Sequence, residues 1–431
     1  MARQSGNWFA LGLAVLVPLA LVEFVWLAVG ARPATFEAIV QEGSMAPTLL
    51  GPHYRVTCPE CGFAFAIDAM TTDAQATVDC PNCHHAGIGL DTLPTTPGDR
   101  VEFVKRGGEL ALWDVVAFAD PGGSGRLLVK RVAGCAGQLV QIKDGDVWCD
   151  GQRAAKPLNV LRELAIVVHD ATHQNRRGHA ASGWRGESGR WSWRNGVWRH
   201  DDTPPGDTDA DWLSFDYVPP PAVRAADESS AVLDDTPYNA AESRRLSSVA
   251  DVGLRCELTA RGAGHVWLRM QTGLDRWVAK LDLAENSCEL SRSGGLPESL
   301  SIGTRSESAP AHVEWMLADG QLHLAMDGQE LPFSRQLRAT TDDTPSLQPL
   351  AIGVRGPLTL EIRQLQVVRD VYYTVAPNSP LAEGAHLGGD EILVLGDNSP
   401  TSVDSRNWWP AKKVRRSDIG GKLQRVWPRT E

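Results

Sequence analysis

The sequence predicts a mainly β chain, in which one antiparallel β-domain is cut in two by a guest β-sandwich and follows a single N-terminal transmembrane helix. Three observations carry this. The 431 residues include 41 glycines and 27 prolines, a composition that favours turn-rich β structure over long helices. Short runs alternating apolar and polar residues recur along the chain, broken by Gly, Pro and Asp, as antiparallel strands and hairpins require. Ahead of them stands one apolar stretch, "WFALGLAVLVPLALVEFVWLAVG", at residues 8–30.

That stretch, after a short tail at residues 1–7, is the first element. About 20 residues at ~1.5 Å each cross a ~30 Å hydrocarbon core. The run is too long for the apolar core of a cleaved signal peptide, ~7–15 residues, so a retained anchor is expected. Pro18 is tolerable in a membrane helix, and Glu23 is expected to face water, headgroups or a partner. Arg3 and Arg32 flank the span evenly and leave its orientation unsigned.

The β-domain follows in two parts, residues 31–156 and 376–431. "GDRVEFVKR", "LWDVVAFADP" and "GRLLVKRVAGCAGQLVQIKDGDVWCDGQ" read as its first strands, and "DEILVLGDNSP" as a later one before the loop "TSVDSRNWWP". Residues 157–375 form the guest. A Trp-rich lead-in (184–221) precedes "GLRCELTARG", "HVWLRMQTG", "WVAKLDLAENSCELSRSG", "AHVEWMLADGQLHLAMDGQEL" and "LTLEIRQLQVVRDVYY". Regular short strands of this kind suggest a β-sandwich of roughly 120–150 residues. Its last strands are similar in pattern to concanavalin-type jelly rolls. Trp184, Trp191, Trp193, Trp198 and Trp212 are expected mostly as core or cover, since Trp is highly buried on average. No sandwich ligand is assigned.

A net charge of −11 argues against nucleic acid as a partner, which would need a basic patch. The basic C-terminal run "AKKVRRSDIGGKLQRVWPRTE" is expected as a solvated edge near anionic lipid.

Cysteine spacing defines a small insert at residues 56–88. Cys58-x2-Cys61 and Cys80-x2-Cys83 have zinc-ribbon spacing, and four thiolates bind structural zinc tetrahedrally. A closed four-Cys shell leaves no open position for catalysis, and His84 and His85 are expected as neighbours rather than ligands. Two disulfides are the competing reading in an oxidising compartment. For the remaining cysteines, Cys135–Cys149 and Cys256–Cys288 bridges would each stay within one domain, with free buried thiols the alternative.

Chemistry centres on Ser44 in "VQEGSMAPTLLG". A serine hydroxyl needs a base within hydrogen-bond reach. None of the 11 histidines sits in a recognisable triad setting, and no G-x-S-x-G elbow occurs. A lysine kept neutral by burial is the other solution. In "RLLVKRVAG", alternation puts Lys130 on one face with Leu128 and Val132. In "LGDNSPTSVDSR" a tight loop carries Ser402, suited to orient an amine, and Asp404 with Arg406, suited to form a pinning ion pair.

Together and in order, "EGSMAPTLL" after an anchor, "GDRVEF", "WDVVAF", "VKRVAGCAGQLVQI", "LGDNSPTSVDSR" and "IGGKLQRVWP" resemble the type I signal peptidases. The resemblance spans the anchor and roughly 120 soluble residues, outside the Cys-rich segment and the guest. It implies Ser44 as nucleophile, Lys130 as general base, Ser402 orienting the amine, and Asp404 and Arg406 buttressing the loop. Met45 and Pro47 would shape the turn, and the Ser44 N–H would be an oxyanion donor, worth ~3–4 kcal/mol when preorganised. Some members carry a hydroxyl two residues before the nucleophile as a second donor. Glu42 stands there in this chain and is expected to point away.

The resemblance also implies no catalytic cofactor, preprotein signal peptides as substrates cut after small residues (Ala-x-Ala), and the bilayer as partner. It places the chain in the cytoplasmic membrane, single-pass, with a cytoplasmic N-terminus and the catalytic domain on the outer face. Ser44 lies within ~45 Å of the span on chain length alone, as membrane-held substrates demand. Two other classes compete. Self-cleaving Ser/Lys repressor peptidases lack an anchor. An envelope binding module on a degenerate peptidase frame would have no need of Ser44, Lys130, Ser402 and Asp404 together.

Overall fold

The computed structural model describes residues 34–105, 109–173, 183–201, 209–220, 230–303, 309–340, 342–411 and 413–427. The tail at 1–7 and the anchor expected at 8–30 lie outside them. No helix among the described residues is long and apolar enough to cross a membrane.

The chain is mainly β. Seven strands from both ends of the sequence form one antiparallel sheet: β1 (Thr35–Ile39), β2 (Arg100–Val104), β3 (Val115–Ala119), β4 (Leu127–Gly134), β5 (Glu391–Leu395), β6 (Val414–Arg415) and β7 (Ile419–Val426). Their order is β1-β2-β7-β3-β4-β5-β6. Alternation does what the sequence pattern requires: Val101 and Phe103 of β2 point into a core with Met45, Leu49, Val115 and Ala117. Ala133 of β4 and Leu393 and Leu395 of β5 instead meet Val140, Ile142 and Val147 of a four-stranded sheet.

The basic C-terminal run is a sheet edge only in part: its β6 closes the sheet beside β5. β7 lies inside the sheet, bonded to β2 and β3, and its Lys422 ammonium pairs with Asp114 at 2.7 Å. Apolar Ile419 and the two glycines before Lys422 let it enter, and its charges are absorbed by local acids.

Strands between Ile166 and Arg369 build two further antiparallel sheets, of eight and seven strands. Their inward residues, among them Leu254, Leu258, Leu268, Trp277, Trp315, Ile352 and Ile362, share one core in sandwich-like fashion. This unit exceeds the length expected, because the Trp-rich lead-in is itself strand: Trp184–Gly186, Trp191–Arg194, Val197–His200 and Asp211–Phe215 join the two sheets. Trp184, Trp191 and Trp198 are buried in the shared core and Trp193 packs against it, while half-buried Trp212 lies under the Arg269 guanidinium.

Helix α1 (Leu158–Leu164) joins the two units. Leu161 packs with Met316, Ala318 and Val368 of the sandwich, and Val160 and Leu164 face the core under the four-stranded sheet.

All eight cysteines are free thiols. Neither of the bridges considered for Cys135, Cys149, Cys256 and Cys288 forms. Cys256 and Cys288 sit on strands of different sheets within the sandwich core, where a buried thiol behaves as a small apolar side chain.

Candidate active site

Ser44 occupies a single 3-10 turn, Gly43–Met45, directly after β1. The turn is held by its neighbours: Met45 is buried with Leu49, Val101 and Phe103, and Ala46 packs with Leu50 and Tyr238. The Ala46–Pro47 peptide that follows is cis. Ser44 is left half-buried between two buried residues.

Lys130 reaches this turn from β4, with its Nζ donating to Ser44 Oγ at 2.7 Å. The residue is only 4% exposed. Burial pushes its ammonium down to about 8, against the pull of the Asp404 carboxylate and with help from the Arg406 guanidinium. Within a strand otherwise apolar on that face, the amine is held beside a hydroxyl and has little water to stabilise its charge.

The loop after β5 closes over the turn. At Gly396 a Cβ would lie 2.1 Å from Ser402 Oγ and 2.4 Å from the Ser44 carbonyl oxygen, so only glycine allows this approach. The Asn398 N–H donates to the Ser44 carbonyl at 3.1 Å, and its Nδ2 donates to the Gly43 carbonyl at 2.9 Å. Asp404, fully buried, caps the short helix Ser405–Trp408. It accepts the Gly396 N–H at 2.9 Å and two bonds from Arg406, at 2.9 and 2.6 Å. Burial alone would push Asp404 up, but Arg406 and these hydrogen bonds outweigh it and hold the carboxyl below its ordinary value.

The structure brings Ser44, Met45, Pro47, Lys130, Asp404 and Arg406 together, while Ser402 lies apart from the contact expected of it. Its hydroxyl is buried without a hydrogen-bond partner, so the expected orienting contact to the Lys130 amine is not formed. The amine is instead turned to Ser44, and Ser402 packs on Gly396. The Glu42 carboxylate points outward to Arg126, and both side chains are more than half exposed.

Sequence reasoning missed the pair that ties the loop to β4. Arg131 Nε and Nη2 donate to the two Asp397 oxygens at 2.8 Å each, both residues being about 1% exposed. Alternation was the available signal, since it places Arg131 on the face opposite Lys130, where a lone cation needs a carboxylate. It also missed Asn398 and its partner Asn239.

In the Cys-rich insert the four thiols converge. The Sγ atoms of Cys58, Cys61, Cys80 and Cys83 all lie within 4.8 Å of one another, with Cys58–Cys83 at 3.6 Å and Cys61–Cys80 at 3.7 Å. A disulfide needs ~2.05 Å, so the two-bridge reading does not hold. Zn–S bonds of ~2.3 Å in a tetrahedron give sulfur–sulfur edges of ~3.8 Å, which this cluster matches. Both knuckles close alike, through Gly62 N–H to Cys58 O and His84 N–H to Cys80 O, at 2.9 Å each. The group can hold a structural metal.

With this geometry in place, comparison with known proteins finds one family match. The model of the family described as "Signal peptidase, peptidase S26" matches residues 10–180. That match, over less than half of the chain, supports a serine peptidase at the family level. No curated protein matches the chain. Among solved structures, a carbohydrate-binding module CBM66 from Bacillus subtilis is 10% identical, with 44% of this chain and 95% of that one covered and a TM-score of 0.24. A Bacillus licheniformis beta-glucanase is 9% identical over 45% and 94%, with a TM-score of 0.30. At these scores neither likeness bears on what this chain binds.

Proposed function

We propose that the protein is a membrane-anchored serine endopeptidase of the signal peptidase type. It removes signal peptides from exported preproteins by cutting after small residues. The 2.7 Å contact between the buried Lys130 amine and the Ser44 hydroxyl carries this reading, and the family match over residues 10–180 supports it.

The step follows from the pair. Neutral Lys130 takes the proton as Ser44 Oγ attacks the scissile carbonyl carbon. The oxyanion that forms is met by the Ser44 N–H. Lys130 then returns the proton to the leaving amine, which leaves an ester on Ser44. Water, deprotonated by Lys130, hydrolyses that ester and restores the serine. The Asp404–Arg406 pair and the Arg131–Asp397 pair hold the loop and strand at a fixed separation, so the amine and hydroxyl stay in reach. The anchor at 8–30 would keep Ser44 near substrates held in the cytoplasmic membrane, with the catalytic domain on its outer face. Cys58, Cys61, Cys80 and Cys83 would hold zinc, which orders that insert and supplies no catalytic chemistry.

The test uses full-length protein in detergent micelles and a preprotein whose signal ends in Ala-x-Ala. Wild type is expected to cut once, after the second Ala, and Ser44→Ala and Lys130→Ala to cut at least 1,000-fold more slowly, on the order expected for loss of a nucleophile or its base. Cleavage that persists in Ser44→Ala would end the serine-peptidase reading. No cut by wild type would favour a binding module on a peptidase frame.

A further inference from the structure

The nucleophile turn is built from more than the peptidase sheet. Three distant pieces of chain press on Gly43. A Cβ at that position would lie 2.4 Å from the Tyr238 ring and 2.8 Å from Asp68 Oδ2. Asp68 ends the strand Ala64–Asp68 of the Cys-rich insert, and Tyr238 belongs to the 3-10 turn Pro237–Asn239 within the inserted region. The third piece is Asn398, whose Nδ2 holds the Gly43 carbonyl.

Asn398 is itself held from the insertion. Its side-chain amide forms a reciprocal pair with Asn239: Asn239 Nδ2 donates to Asn398 Oδ1 at 2.6 Å, and Asn398 Nδ2 donates to Asn239 Oδ1 at 2.8 Å. Both residues are buried, Asn398 to 2% exposure and Asn239 to 9%. The Asn239 turn is fixed in turn to the sandwich. The Asn239 N–H bonds Thr236 O at 3.0 Å, and Arg369, at the end of a long sandwich strand, donates to Asp235 O at 2.5 Å and Thr236 Oγ1 at 3.0 Å.

A peptide unit is planar, with its C=O and N–H on opposite sides. Pinning the Gly43 carbonyl therefore fixes the direction of the Ser44 N–H, the oxyanion donor of the proposed reaction. We propose that Asn239 is a positioning residue: acting through Asn398, it locks the Gly43–Ser44 peptide, so that the inserted domain sets the oxyanion donor of the peptidase. This rests on the Ser44/Lys130 reading above.

The prediction is specific about which kinetic parameter moves. An oxyanion donor acts on the transition state, and losing one outright costs about 100- to 1,000-fold in kcat. Asn239→Ala loosens the donor without removing it, so kcat is expected to fall about 10-fold or more while KM stays within about twofold. The acid limb of the pH profile stays in place, since Lys130 is untouched.

A double-mutant cycle decides whether Asn239 acts through Asn398. Full-length wild type, Asn239→Ala, Asn398→Ala and the double variant are assayed on the Ala-x-Ala preprotein, with Ser44→Ala as the blank and thermal melts alongside. Asn239→Ala is expected to cost nothing further once Asn398 is alanine. Equal costs in both backgrounds, or wild-type kcat in Asn239→Ala, would overturn the proposal. If Asn239→Ala does not stay folded at the assay temperature, the same-sized Asn239→Asp replaces it, and wild-type kcat there would overturn the proposal equally. Activity surviving in Ser44→Ala would instead sink the underlying peptidase reading, a result the cycle cannot mimic.

Discussion

At the scale of single residues, Lys130 is buried at a cost to stability. Its ammonium falls from 10.5 to about 8 through burial, which corresponds to about 3 kcal/mol at neutral pH. Between pH 8 and 10.5 the unfolded chain holds the proton that the folded chain has released, so wild-type stability rises with pH across that window. Lys130→Met lacks the term. It is expected to exceed wild type by up to about 3 kcal/mol at pH 7, with the gap closing toward pH 10.5. Denaturant melts at pH 7 and pH 10 check this, and a gap that stays constant would mean that burial does not set the amine. Activity of wild type should fall on the acid side with a midpoint near 8. Ser44, Lys130, Asp404 and Arg406 were legible because each sits in a short ordered motif. Asn239 was not, because its role comes from a turn nearly 200 residues from Ser44 and 159 from Asn398, a pairing made only by folding. The Ser402 contact was expected from its motif, but packing on Gly396 decides where the hydroxyl lies.

At the scale of elements, the Cys-rich insert connects a candidate metal site to the Ser44 turn. It has a small core, Tyr54, Val56, Ile67, Val78 and Leu90, beside four clustered thiols, and it delivers Asp68 against Gly43. A metal bound by the four thiols would help to order such a segment. One zinc per chain is expected by elemental analysis of protein purified without chelator, and Cys80→Ser should lose it and lower the thermal midpoint. Full metal loss with an unchanged melt would remove the structural role. Cleavage should drop alongside, mainly in kcat, as the turn loosens. Strands of this molecule were legible wherever apolar and polar residues alternate, as in His265–Thr272 and Asp275–Asp282. They were hidden where composition masks the period. The Trp- and Arg-rich stretch reads as a lead-in to the strands yet pairs into both sheets, and β7 reads as a charged edge because its neighbours on either side are unknown from sequence.

At the scale of the whole molecule, one buried cation joins peptidase and sandwich. Lys156, 2% exposed, leads from the four-stranded sheet into α1 and pairs with Asp319 at 2.6 Å and Asp370 at 2.8 Å. Its ammonium also lies over the Trp113 ring at 4.7 Å. Asp146 and Asp251 close the cluster, with Arg153 bridging Asp146 and Asp343 and Tyr373 nearby. Burial first, then the neighbouring carboxylates, pushes Asp146 up to about 9 and Asp251 up to about 7. Acids raised in this way hold protons that the unfolded chain has released above about pH 4, so they subtract stability as pH rises from there. Lys156 offsets that loss. Removing one partner of a buried ion pair costs about 3–5 kcal/mol, so Lys156→Met should be destabilised by that amount at pH 8. The deficit should shrink toward pH 5, because Asp251 takes up its proton near 7 and Asp370 is also raised by burial, so less anionic charge then needs a cation. Denaturant melts of wild type and Lys156→Met at both pH values test the seam. A deficit below about 1 kcal/mol at pH 8, the size of an exposed pair, would mean that the two units are joined by apolar packing on α1 alone. A deficit that grows on acidification would assign the stabilisation to something other than the carboxylates around Lys156.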